Sequence, residues 1–269
     1  MCRIDPANPG RPGVVDWPLW ECSGCGSLHV VEGDRACATR LEVASYTDPM
    51  NEAEFLERRR EYFRWIVELV DDAPGRHGHR RVLDFGCSYG HLLVEFAARG
   101  WEPVGIDSTA RALDVARTNL PEARLCATLD EMKGMGLVHA AMAIDVLYFL
   151  DRPDDVLRQI RELLVPDGRI AIRVTNRAWL YQVLRWSGQM RRSGLIMMGS
   201  SHWAFTRRGV VSLLERSGFK DIRFEESERG KGSPDLTRRA YYLVSEGLAS
   251  LTGGRLAVQG GIFAVARRA

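Results

Sequence analysis

At 269 residues the chain has room for one large domain with an appendage, or for two small domains. Hydrophobic residues make up 45% and charged residues 27%, the balance of a soluble globular protein, and a net charge of +2 gives no electrostatic case for nucleic acid or an anionic membrane as partner. The longest apolar run, Leu137 to Leu150, is cut by His139 and Asp145 and is shorter than the ~18 residues a membrane span needs. Asp5 and several prolines stand where a signal peptide would be apolar. Six cysteines, with Cys87 and Cys126 inside the predicted sheet, make no disulfide framework, so the cytoplasm is the expected compartment.

In chain order, residues 1–20 are rich in proline and glycine and read as extended. Cys22-Ser23-Gly24-Cys25-Gly26 has the spacing of a zinc knuckle, whose turn aims backbone N–H groups at thiolates. A structural zinc site needs four ligands, and only Cys2, His29 and Cys37 lie nearby to complete the set. Zinc is therefore a candidate without an assigned set of ligands. No thioredoxin-like βαβ pattern surrounds the pair to support a redox reading. The spacing of Phe55, Tyr62, Ile66, Leu69 and Val70 predicts a helix over 51–70, ended by Asp71-Asp72-Ala73-Pro74-Gly75. Residues 75–81 read as the linker into a catalytic core.

From Arg81 the alternation is regular: strand 82–86, helix 91–99, strand 102–107, helix 109–119, strand 124–127, strand 138–144, helix 153–164 and strand 169–174. That order predicts an α/β fold with a parallel sheet covered by helices on both faces. A helix is predicted from about Arg207 to Ser217, strands over 222–226 and 261–265, and a further helix over 236–251. The intervening 176–205 segment, with Trp179, Tyr181, Trp186, Met197 and Met198, reads as a lid over an apolar substrate, a dimer surface or a surface-lying helix, with the lid preferred.

Val82-Leu83-Asp84-Phe85-Gly86-Cys87-Ser88-Tyr89-Gly90-His91 reads as strand, small-residue loop and helix start, and Gly105-Ile106-Asp107-Ser108 as a second strand ending in an acid. Both acids then fall at the carboxyl edge of a parallel sheet, where open α/β folds bind ligands. The loop has the wrong glycine spacing for a dinucleotide fingerprint. It also matches G-x-S-x-G, which would make Ser88 a hydrolase nucleophile, but no upstream oxyanion loop accompanies it.

Asp84-x-Gly86-x-x-x-Gly90 followed by Gly105-Ile106-Asp107 resembles the first two motifs of class I S-adenosylmethionine-dependent methyltransferases, with Ser88 in place of a middle glycine. The stretch from Asp154 to Val174, with its Pro166-Asp167-Gly168 turn, is similar to the same family. So are His202-x-x-Phe205-Thr206 and the later Leu214-x-x-x-Gly218-Phe219. The resemblance implies a Rossmann-like, seven-stranded, mostly parallel sheet over 49–269, with 1–48 as a small N-terminal appendage. Many small-molecule and sugar methyltransferases of this kind carry an N-terminal zinc module with two cysteine pairs. Here one pair is complete, which implies either a metal-free hairpin or a start that truncates the module.

The resemblance further implies S-adenosylmethionine as methyl donor and a small-molecule acceptor. Donor contacts are expected from Asp84, Gly86, Cys87, Ser88 and Gly90, from Asp107 and Ser108, from Leu129 and Asp130 at the adenine, and from Asp145 near the sulfonium. After Asp145 the family often has Glu-His. This chain has Tyr148-Phe149, which leaves aromatic packing and no base from that motif. His202 is the expected general base for a hydroxyl acceptor; an amine or carbon acceptor would need none so strong. A methyltransferase-like protein that binds without catalysis is the alternative from another class.

Overall fold

Val82 and Leu83 are both fully buried and belong to opposite faces of the sheet, the pattern of a strand covered on each side. In this computed structural model the described residues are 4–6, 19–30, 52–75, 80–132, 134–176, 178–179, 201–225, 236–256, 258 and 260–269. Most of the predicted lid, 180–200, lies outside them, as do Cys2, Cys37, His77 and His79.

The strands are β1 (Ile4–Pro6), β2 (Leu19–Cys22), β3 (Leu28–Val30), β4 (Arg81–Phe85), β5 (Glu102–Ile106), β6 (Arg124–Cys126), β7 (Val138–Ile144), β8 (Leu164–Thr175), β9 (Trp203–Ala204), β10 (Phe219–Glu225) and β11 (Gly261–Arg268). The helices are α1 (Glu52–Leu69), α2 (His91–Ala97), α3 (Ala110–Asn119), α4 (Pro153–Leu163), α5 (Arg207–Arg216) and α6 (Leu236–Leu251). The larger sheet has seven strands in the order β10-β11-β8-β7-β4-β5-β6. Strands β8-β7-β4-β5-β6 are parallel, while β11 and β10 close the edge antiparallel. The chain moves outward from β4 to β6 and then crosses back to β7, so the switch point of the topology lies between β4 and β7.

Helices cover both faces. Ile66, Val67 and Val70 at the end of α1 pack with Leu92, Leu93 and Phe96 of α2 against Val82, Met142 and Val265. Leu157 and Ile160 of α4 and Val210, Leu213 and Leu214 of α5 pack on the opposite face with Leu83, Ile170 and Ile172.

Two local readings need correction. The predicted 75–81 linker is shorter, because Arg81 already pairs with Glu102 in the sheet. Arg80 is 3% exposed, stacks 4.1 Å above Trp101, and donates to Asp71 O and Oδ1 at 2.6 and 2.9 Å. It is an anchor, which a run of histidine, glycine and arginine conceals. Likewise Pro166-Asp167-Gly168 does not separate α4 from its strand: β8 starts at Leu164, and Val165 to Gly168 bulge opposite the single residue His139. Asp167 takes φ 59° at this bulge. Tyr148 is 7% exposed and part of the core.

The N-terminal cysteine segment forms a second sheet, β1-β2-β3-β9, all antiparallel. Its last strand, Trp203–Ala204, belongs to the segment entering α5, and the hairpin turn is bonded there. Thr206 caps α5 by accepting from Gly209 N at 3.0 Å, and its hydroxyl donates to Cys25 O at 2.6 Å. Thr206 N donates to Ser27 Oγ at 3.2 Å, and a Cβ on Gly209 would stand 1.9 Å from that oxygen.

Candidate active site

The loop after β4 is built by its own backbone. Gly86 N and Cys87 N both donate to Ile106 O, at 2.7 and 2.9 Å, and Gly90 N donates to Cys87 O at 2.9 Å. Gly86 and Gly90 take φ 81° and 77°, and Ser88 takes φ 48°, so the serine adopts the left-handed backbone that a glycine would hold more readily. Gly86 has a second constraint: a Cβ there would lie 2.8 Å from Val146 Cγ2, the residue after Asp145. The ends of β4 and β7 thus meet at the switch point.

Asp107, 7% exposed, follows β5 and faces this loop. Its Oδ2 accepts from Ser88 N at 2.9 Å and its Oδ1 from Thr109 N at 2.9 Å. A carboxylate has about four acceptor positions, so both oxygens keep capacity for a ligand hydroxyl. Asp84, 4% exposed, sits beside it near the end of β4. Burial, and then the Asp107 charge, push the Asp84 carboxyl up to about 7, and no hydrogen bond offsets this. Cys87 packs against Gly105, and burial pushes its thiol far up, with Asp84 and Asp107 adding to the effect, which disfavours the thiolate.

The electrostatics discriminate between ligands. The loop already uses the N–H groups of Gly86, Cys87, Ser88 and Gly90 on acceptors within the protein. It offers two adjacent carboxylates, which suit hydroxyls and cationic groups. No hydrogen bond joins the Ser88 hydroxyl to a histidine among the described residues, as a hydrolase nucleophile requires.

The other predicted residues divide. Ser108 is exposed directly after Asp107, and Leu129 and Asp130 lie just beyond β6, the strand next to β5. Asp145 follows β7 with φ 58°, and its carboxylate is ion-paired with Arg173 of β8. His202 is joined to the segment after Asp145: its main-chain N–H donates to Tyr148 O at 2.7 Å, and its Nδ1 is 3.0 Å from Asp151 Oδ1. Asp151 lies outside the motifs, and its approach to His202 is visible only in the structure. His91 begins α2 beside the ring of Tyr89, and His139 Nδ1 accepts from Arg81 N at 3.0 Å.

A family model described as a methyltransferase domain matches residues 55–223, more than half of the sequence. The chain belongs to the class I S-adenosylmethionine-dependent methyltransferases. This family assignment replaces the hydrolase reading. A ubiquinone biosynthesis O-methyltransferase of Aeromonas salmonicida is 32% identical to this methyltransferase over 120 residues, 41% of this chain and 50% of that protein. Its counterpart in Pseudomonas aeruginosa is 29% identical over 128 residues, 44% of this chain and 55% of that protein. The chain therefore spans about half the length of these relatives. An uncharacterized methyltransferase of Synechocystis is 27% identical over 164 residues, 58% of this chain and 73% of that protein. Among solved structures, the plantazolicin methyltransferase BpumL in complex with SAH has a TM-score of 0.54 at 18% identity, covering 87% of this chain and 95% of its own. A SAM dependent methyltransferase from Archaeoglobus fulgidus scores 0.52 at 17% identity, covering 80% and 94%. At these identities the likeness is one of fold.

The donor set around Cys22 and Cys25 is a different matter. Both thiols are buried, and burial is the main cause raising the Cys25 thiol. His29 lies with its ring stacked 3.9 Å from Trp203. Among the described residues no group of three or more His, Cys, Asp or Glu is arranged to hold a metal. No described helix is long and apolar enough to cross a membrane.

Proposed function

We propose that this methyltransferase moves the methyl group of S-adenosylmethionine to a hydroxyl of a small-molecule acceptor. The observation that carries the donor half is the buried, unbonded Asp84 carboxylate beside Asp107, whose Oδ2 is tied to the loop at Ser88 N. Asp107 would accept from the ribose hydroxyls, and Asp84 would counter the ammonium of the methionine part. Gly86 and Gly90 admit the backbone turn that brings the loop against the donor, with Cys87, Ser88 and Ser108 along it. Leu129 and Asp130 border the adenine end, and Asp145 shapes the wall toward the acceptor. The donor supplies a methyl carbon already activated by its sulfonium, so the protein contributes chiefly alignment.

For the acceptor half, His202 would take the hydroxyl proton. Support comes from its attachment to the strand end that closes over Gly86, and from relatives that bear the name O-methyltransferase. The N-terminal residues 1–48 are read as an appendage to a catalytic body over 49–269, with the hairpin at 19–30 bracing the His202 side through Thr206 and Trp203. Of the expected lid segment 176–205, Trp203 and Ala204 instead pair with β3 in the second sheet. Incubation with radiolabelled S-adenosylmethionine and a panel of phenols, sugars and amines tests the proposal. Labelled ether products support it. Labelled amines alone would move the acceptor class, and donor binding without any product would favour the non-catalytic reading.

A further inference from the structure

His202 is held on three sides. Its main-chain N–H is bonded to Tyr148 O at 2.7 Å. The next residue, Trp203, pairs with β3, donates from Nε1 to Leu150 O at 3.0 Å, and is stacked between His29 at 3.9 Å and Phe205 at 5.6 Å. The imidazole itself, with its side chain 20% exposed, has Nδ1 3.0 Å from Asp151 Oδ1. The adjacent Arg152 is turned to Asp155 at 2.6 Å. A neutral imidazole carries one proton, and the hydrogen bond made by one nitrogen fixes the role of the other. A proton placed on Nδ1, which faces the Asp151 carboxylate at 3.0 Å, leaves Nε2 as the ring's proton acceptor.

We infer that Asp151 is the positioning residue of the transfer reaction, acting through His202. This rests on the reading of His202 as general base. The acceptor hydroxyl gives its proton to His202 Nε2 as its oxygen bonds to the methyl carbon. The C–S bonding pair stays on sulfur, which leaves as a neutral thioether. The imidazolium so formed is stabilised by the Asp151 charge until its proton passes to water. Leu147 to Asp151 follow directly from Val146, so one short segment both closes over the donor loop and orients the base.

The ring can be read without an acceptor. In the full-length chain with 15N-labelled histidine, His202 assigned by His202→Gln, Nδ1 should show the protonated shift and Nε2 the unprotonated one. Asp151→Ala should move both toward an average of the two tautomers. An unprotonated Nδ1 in the wild type, or no change in Asp151→Ala, overturns the inference. With catechol and S-adenosylmethionine as probes, Asp151→Ala should lower kcat by about tenfold to a hundredfold with the donor KM unchanged. Asp151→Glu should restore part of that loss, and Asp151→Ala should add nothing in the His202→Gln background. If His202→Gln is slow while Asp151→Ala turns over normally, or if the two losses multiply, Asp151 does not act through His202. Normal turnover by His202→Gln sinks the base assignment itself, and the inference with it.

Discussion

Replacing Asp84 by asparagine should make the ligand-free protein more stable and the donor bind more weakly. The Asp84 carboxyl is raised from an ordinary 3.8 to about 7 by burial first and by Asp107 second, so in the fold it holds its proton where the unfolded chain has lost it. The sign follows: this group's effect on stability becomes unfavourable as pH rises from about 4 to about 7, and is constant above that. Three units at ~1.36 kcal/mol each give about 4 kcal/mol of destabilisation at pH 8. Burying an amide in its place costs about 1–3 kcal/mol, leaving a net gain of about 1–3 kcal/mol for Asp84→Asn at pH 8. Between pH 5 and pH 8 the wild type should lose about 2–3 kcal/mol that the variant keeps. Urea melts of both proteins at the two pH values measure this, and calorimetry with S-adenosylhomocysteine measures the other half. Loss of a charged hydrogen bond predicts about tenfold to a hundredfold weaker binding. A variant that is less stable at pH 8, or that binds the ligand as the wild type does, refutes the assignment of Asp84 as a buried, uncompensated counter-charge.

The backbone of the same loop makes two further predictions. Ser88→Gly should raise stability by about 0.5–1 kcal/mol in thermal melts, since glycine relieves the left-handed strain at φ 48°, and Ser88→Ala should retain donor binding because only the Ser88 N–H meets Asp107. Gly86→Ala should lose about 1–3 kcal/mol and weaken S-adenosylhomocysteine binding, because its Cβ would force Val146 aside. Gly209→Ala should destabilise by a similar amount through Ser27 Oγ at 1.9 Å from the added carbon. The double variant Gly209→Ala/Ser27→Ala should recover much of that loss, whereas equal melting of the single and double variants would show that the hairpin does not dock on α5.

The catalytic sheet was legible because its strands are short apolar runs separated by amphipathic helices, and local pattern suffices for those. Asp84 and Asp107 could be placed at one edge from strand order alone. What the sequence hides is set by contacts between distant segments. Arg80 looks like linker until Trp101 and the end of α1 close on it. Val165 to Gly168 look like a turn until β7 takes them as a bulge. The hairpin at Leu19–Val30 gives a two-cysteine signal suggestive of metal, yet its attachment depends on Thr206 and Gly209. Asp151 is an ordinary surface acid in the sequence, and only the fold brings it to His202.

The most direct test of the donor assignment is titration calorimetry of S-adenosylhomocysteine into the wild type and Asp107→Ala, with melts confirming that both are folded. The expected result is one-site binding by the wild type and at least about a tenfold loss in the variant, from the missing charged acceptor. Undiminished affinity in Asp107→Ala, or no binding by the folded wild type, would contradict it.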